Sequence, residues 1–300
     1  MQYWTGKYTV LVEYDLVDKE TLGEKNKTCR FCGKSFPEVK FSHEAHAIPA
    51  AFDNDSLFLN WECNECNSLF GRTIEDHLTK YFLPYRLSAQ ILGRNSELKY
   101  KEDEFNRLVA RSGGVTVNQN EAGNIIEILD DHTLRLNLQR QSYKPINVYK
   151  GLVKIALSLL PETELHDFEN TISWLREDKK AIEDFFGQHV MVRFFPGVRS
   201  FMHTKAIIFK RKPDVVDAPA YYFALNFYNF NIQIIVPSFI NDSMMEGKTI
   251  NLQSFPTAFD LIHFPGQIGS DKLDFSGHET VKNEKCPIEM NYESSEGPSA

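Results

Sequence analysis

Two CxxC pairs, Cys29 and Cys32 in "CRFC" and Cys63 and Cys66 in "CNEC", bracket the stretch "FSHEAHAIP" of residues 41–49. Each CxxC turn can present two thiolates to one ion, and four thiolates complete a closed tetrahedral site. In a chain that starts without an export signal, this pattern points to zinc rather than to disulfides. A closed site has no open position for substrate, so the zinc is expected to be structural. It would staple a segment too short to bury much core of its own. A redox dithiol is the competing reading of a single CxxC, and the second pair argues against it. Cys286, the fifth cysteine, stands in a polar stretch and is given no role.

The stretch between the pairs holds a different chemistry. His43, Glu44 and His46 lie close together there, Asn67 directly follows Cys66, and Glu75 and His77 lie further along the run after it. An imidazole that is neutral near pH 7 can take a proton from water. Carboxylate, amide and imidazole groups can hold a divalent cation that stabilises charge on a leaving oxygen. Each residue also has a plainer reading. His43 could be a solvated loop residue, Asn67 an N-cap of the following helix, and Asp76 with His77 an exposed helix face. Glu75 sits eight residues beyond Asn67, a spacing that returns to a similar helix face. There it could bind metal or orient His46 from behind.

Taken together, "CRFCGKS", "FSHEAHAIP" and "CNECNSLFGRTIEDHL" resemble the HNH endonucleases, the zinc-stabilised branch of the ββα-metal (His-Me finger) nucleases. The resemblance covers roughly residues 27–90, and its most specific parts are His-x-Ile-Pro and Cys-x-x-Cys-Asn followed by Phe-Gly and Ile-Glu. It implies His46 as general base and Asn67 as a ligand of the catalytic Mg²⁺ or Mn²⁺, with DNA as substrate. In the family the residue before the base is usually an Asp, His or Glu that binds the metal, and here it is Ala45. Glu44, then His43, are the nearest replacements, and Glu75 is a further candidate. A second function class stays open on the strength of Ala45: a zinc-stapled module that holds nucleic acid or protein without chemistry. The arrangement also resembles bacterial antiphage defence proteins that fuse such a nuclease to a C-terminal sensor domain.

Several elements must position these residues. Residues 7–14 read as a strand, and apolar residues at helical spacing after Cys66 read as a helix that Pro84 ends or kinks. Short alternating runs between Arg107 and Leu138 read as a small antiparallel sheet. From Ile146 the period changes to helices at "INVYKGLVKIALSLL", "ETELHDFENTISWLRE" and "DKKAIEDFFG", the last closed by Gly187. Strands return at "HVMVRFF", "TKAIIFKR", "YYFALNFY" and "FNIQIIVP", the last two as a hairpin turning near Asn229. Their aromatic residues at period two read as sheet core rather than as base-stacking platforms. The expected class is α+β: an HNH domain with its N-terminal strand over 1–92, a β segment over 93–140, an α+β domain over 141–275 and a disordered tail over 276–300.

Composition bounds the rest. The chain of 300 residues is 42% hydrophobic and 25% charged, which is ordinary for a globular protein. No apolar run is long enough to span a membrane, and the start lacks signal-peptide character, so a cytoplasmic protein is expected. A net charge of -8 argues against a nucleic-acid partner until its distribution is considered. Arg193, Arg199, Lys205, Lys210, Arg211 and Lys212 lie in a run with no Asp or Glu. That run is either a phosphate-binding surface or a solvated strand edge. His189, His203 and His263 lack ligand-like spacing and are read as structural. A homodimer is expected on mechanism alone, because it would let two single-site nucleases cut both strands.

Overall fold

A computed structural model describes residues 2–24, 28–93, 97–177, 187–245, 250, 253–260, 262, 264 and 266–291. The chain opens with α1 (Gln2–Lys7) and β1 (Tyr8–Asp15), then β2 (Glu20–Leu22), β3 (Ala45–His46) and β4 (Leu57–Leu59). Two helices follow, α2 (Asn64–Arg72) and α3 (Ile74–Ser88), and then β5 (Glu97–Lys101), β6 (Arg107–Arg111), β7 (Gly114–Asn118), β8 (Ile126–Ile128) and β9 (Thr133–Gln139). The second half holds α4 (Pro145–Leu159), α5 (Glu169–Arg176), β10 (His189–Phe194), β11 (Phe201–Arg211), β12 (Tyr221–Tyr228) and β13 (Phe230–Ile235). It closes with α6 (Phe239–Asp242), β14 (Gly269–Asp274) and β15 (Lys285–Asn291). The protein is α+β, as its patterns suggest. The expected helix over residues 178–186 and His263 lie outside the described residues. Among the described residues no helix is long and apolar enough to cross a membrane.

The largest sheet has the order β1-β11-β12-β13-β10-β14. Its centre is the expected hairpin, in which Phe227 pairs with Phe230 across a turn where Tyr228 takes a positive φ of 54°. Phe223, Leu225, Phe227, Phe230, Ile232 and Ile234 all face one continuous core, while Tyr222, Ala224 and Ile235 pack on the other face with Trp4, Tyr8 and Phe209. Period-two patterning thus feeds two layers, and these aromatic residues are core.

Two expectations about organisation are corrected. β1 does not stay with the segment that follows it but pairs antiparallel with β11, from Tyr8 opposite Arg211 to Asp15 opposite Lys205. Nor is the C-terminal region disordered throughout, because β15 pairs with β9 along its whole length, from Lys285 opposite Gln139 to Asn291 opposite Thr133. Cys286, Ile288 and Met290 alternate along β15; Ile288 and Met290 pack against the core around α3 and β5–β9, and Cys286 is buried beside Tyr85. Residues 292–300 lie outside the described residues.

The helix that ties the molecule together is α4, buried on nearly every side. Gly151 lets it approach α3 closely, since a Cβ there would stand 3.0 Å from the Leu78 side chain. On the opposite side the Tyr149 hydroxyl donates to the Ile235 carbonyl of the large sheet at 2.8 Å. One apolar core therefore runs from Leu22 and Phe31 through α3 and α4 to Phe223 and Phe275. Each fully buried aliphatic side chain in it contributes about 1.5–3 kcal/mol relative to exposure.

Candidate active site

The two CxxC turns come together. The Sγ atoms of Cys29, Cys32, Cys63 and Cys66 lie within 4.8 Å of one another, and Cys32 Sγ stands 3.8 Å from Cys63 Sγ. A tetrahedron of ~2.3 Å Zn–S bonds has edges of about 3.8 Å, so the four donors fit a structural zinc. Backbone N–H groups support the thiolates: Cys63 N donates to Cys29 Sγ and Cys66 N to Cys63 Sγ, both at 3.4 Å. A hydrogen bond from the Cys66 side chain, with further backbone donors, holds the Cys29 thiol down at about 5. The Cys29 partner pushes Cys66 up, and burial pushes Cys63 up to about 12. Four thiols this close release all their protons only against a cation.

This knuckle is docked on α4 by Arg30, whose guanidinium carbon lies 3.6 Å from the centre of the Trp61 ring. Its Nη1 donates to the carbonyls of Leu157, Ser158 and Leu160, the unpaired acceptors at the end of α4. Beneath it, Lys154 is fully buried, with Nζ 2.9 Å from carboxylate oxygens of both Glu62 and Glu75. Burial raises Glu62 to about 7 even with Lys154 beside it.

Glu75 is thereby removed from the set of metal-ligand candidates. The run after Cys66 is not one helix: Thr73, at φ -116° and ψ -95°, separates α2 from α3. An eight-residue spacing returns to the face of Asn67 only on an unbroken helix, and the break turns Glu75 toward α4. His77 departs from the exposed-face reading as well, since its Nδ1 accepts from the Lys144 backbone N–H at the start of α4, while Asp76 pairs with Lys80 on the same helix.

Four of the expected residues do share one place. A cavity of about 650 Å³ is lined by Ser42, His43, Glu44, His46, Ala50, Asp53, Asn54, Asp55, Phe58, Asn67 and Gly93. His46 enters from β3, opposite Phe58 on β4, and the Phe58 ring meets its imidazole in a T-shaped contact at 4.7 Å. Strand alternation sends the neighbouring Ala45 the other way, into the core with no exposure. Asn67 does not cap its helix. Cys63 is the N-cap of α2, the Asn67 backbone N–H bonds to the Cys63 carbonyl, and its half-buried side chain forms no hydrogen bond to a described residue.

Two asparagines that sequence reading missed hold the walls. Buried Asn54 donates to the carbonyls of Ile48 and Leu57 and accepts from the N–H groups of Ser56 and Leu57, fixing the loop between β3 and β4. Asn64 accepts from the N–H groups of Ser42 and His43, pinning the exposed His43 loop to the start of α2. Neither has a spacing signal, because asparagine is common in turns.

The wall residue Asp53, at a positive φ of 61°, is ion-paired with Arg199 from the loop before β11. Thr204 on β11 donates to the Phe52 carbonyl at 2.7 Å, so the large sheet grips this loop twice. Lys19, in the turn before β2, lies with Nζ 5.0 Å from the centre of the Phe58 ring.

The remaining basic residues each have a partner in the fold. Arg193 is buried against Asp260, Lys205 pairs with Glu13, Lys210 with Glu164, Arg211 donates to the Asn241 carbonyl and Lys212 to the Thr5 carbonyl. Arg193 and Arg211 are largely covered, Lys205 and Lys210 are partly exposed pairs, and Arg199 reaches the cavity wall through Asp53. His189 sits 4.0 Å from Asp274 on the neighbouring strand, and His203 is exposed on β11.

Residues 29–83 match the HNH endonuclease family model. The match supports a nuclease-family function for this segment and with it a nucleic acid as substrate. No curated protein and no solved structure matches the chain. The matched segment accounts for β3, β4, α2 and most of α3, while Arg199 and Thr204 hold its Phe52–Asp53 loop from outside it.

Proposed function

We propose that the protein is a metal-dependent HNH endonuclease that hydrolyses DNA phosphodiester bonds. The observation that carries this reading is the convergence of His43, Glu44, His46 and Asn67 on one cavity within the matched segment. His46 is the general base and takes a proton from the attacking water. The Phe58 ring fixes the tilt of its imidazole, and Asn54 fixes the loop that follows it. Asn67, with Glu44 and His43 as neighbouring donors, would hold Mg²⁺ or Mn²⁺, whose charge lowers the cost of the departing 3′-oxygen. Both Glu44 and His43 are exposed at the mouth of the cavity, where they can turn toward a bound ion.

The test is cleavage of duplex DNA by purified protein with Mg²⁺ or Mn²⁺. The expected result is nicking or cutting that His46→Ala abolishes while zinc content and melting temperature stay unchanged. Undiminished cutting by His46→Ala would overturn the assignment of the base. DNA binding without cutting by the wild type would favour the binding-module reading. One cavity cuts one strand, so clean double-strand breaks would call for two copies of the chain.

A further inference from the structure

Arg86 occupies the last turn of α3 between two apolar clusters, with Phe82 on one side and Leu83 and Leu87 on the other. It is 7% exposed, and its Nε is enclosed without a hydrogen-bond partner. No ion pair to a described residue compensates it. Burial draws its guanidinium down to about 10, so it is still charged at neutral pH. An uncompensated buried cation destabilises a fold substantially, and a hydrophobic side chain of similar volume would be cheaper.

The guanidinium lies behind the cavity wall at Gly93. Gly93, at a positive φ of 66°, lines the cavity, and the point where its Cβ would stand is 3.3 Å from Arg86 Nη2 and 3.1 Å from the Ala50 carbonyl. Ala50 lines the cavity too. The missing side chain of Gly93 therefore leaves the forked head of Arg86 next to the space that His46 and Asn67 face. The carboxylates there do not satisfy it: Asp53 is taken by Arg199, and neither Glu44 nor Asp55 forms an ion pair with Arg86.

We propose that Arg86 is a substrate-binding residue whose guanidinium, reached past Gly93, receives a phosphate of the nucleic-acid strand lying in the cavity. The planar fork matches phosphate oxygens, and the anion supplies the counter-charge that the fold withholds. This rests on the reading of the cavity as a phosphodiesterase site.

Affinity for a short DNA duplex is measured across salt concentrations in a His46→Ala background, so that binding is read without turnover. Arg86→Met is expected to weaken binding about 10- to 100-fold and to lower the salt slope by about one released counterion. Its melting temperature should hold or rise, because an unpaired buried charge is removed. Gly93→Ala, whose methyl would stand 3.3 Å from Arg86 Nη2 on a backbone at φ 66°, should weaken binding as well, with its melting temperature measured alongside, and keeps the proposal testable if Arg86→Met does not fold. Unchanged affinity and salt slope in the variants that fold would overturn the proposal, as would an Arg86→Met protein that only loses stability. If the wild type cuts DNA while Arg86→Met keeps its KM, this inference alone falls. A wild type that neither binds nor cuts DNA removes both readings.

Discussion

At the scale of single residues, the position before His46 is the most informative. Ala45 and His46 are neighbours in a two-residue strand, so their side chains leave on opposite faces, one into core and one into the cavity. A carboxylate introduced at position 45 would be buried among apolar side chains rather than offered to a cation. Ala45→Asp is therefore expected to lower the melting temperature and to leave Mg²⁺-dependent cutting no higher than in the wild type. A gain in cutting at unchanged stability would show that position 45 reaches the cavity. The four cysteines were legible from spacing, because paired CxxC turns are a rare pattern, whereas His46 and Asn67 were singled out by the resemblance to the HNH endonucleases. Asn54, Phe58 and Arg86 were not, because what distinguishes them is a partner, or the lack of one, supplied by another element.

At the scale of elements, α4 carries the argument. Its amphipathic period was plain in the sequence, yet the pattern did not reveal that Lys154 would be buried between Glu62 of the knuckle and Glu75 of α3. Removing one member of such a group leaves uncompensated charge, whereas replacing charges together with apolar groups costs little. Lys154→Met is expected to destabilise the fold by about 3–5 kcal/mol in urea unfolding, and Lys154→Met with Glu62→Leu to recover most of the loss. A single variant as stable as the wild type would show that the cluster is not coupled. The break at Thr73 belongs to this scale too. Nothing in "FGRTIED" marks it strongly, and a one-residue interruption sent Glu75 to α4 instead of to Asn67.

At the scale of the molecule, the HNH segment is not a detachable unit. Its core residues Phe31, Phe52 and Phe70 belong to the same cluster as α4 and the large sheet, and β1 crosses over to pair with β11. Stripping metal from the four-cysteine site with a chelator is accordingly expected to lower the melting temperature of the whole chain in one cooperative transition. Two separate calorimetric transitions would show that the segment unfolds by itself. The same continuity explains how Arg199 and Thr204 of the second half come to brace the loop that carries Asp53.

The sequence by itself determined the chemistry on offer: a tetrathiolate, an imidazole and an amide at short, fixed separations, and strands whose period-two aromatic residues had to be core. Those properties depend on residue type and local spacing, which the chain carries with it. Tertiary structure alone decided which charges would be consumed in pairing and which would face the cavity. That outcome was fixed by contacts between residues far apart in the chain, such as Asp53 with Arg199 and Glu75 with Lys154, and local patterns do not encode them. The basic residues of the second half are each drawn into an ion pair or hydrogen bond for this reason, while the Arg86 Nε on α3 is enclosed without a hydrogen-bond partner.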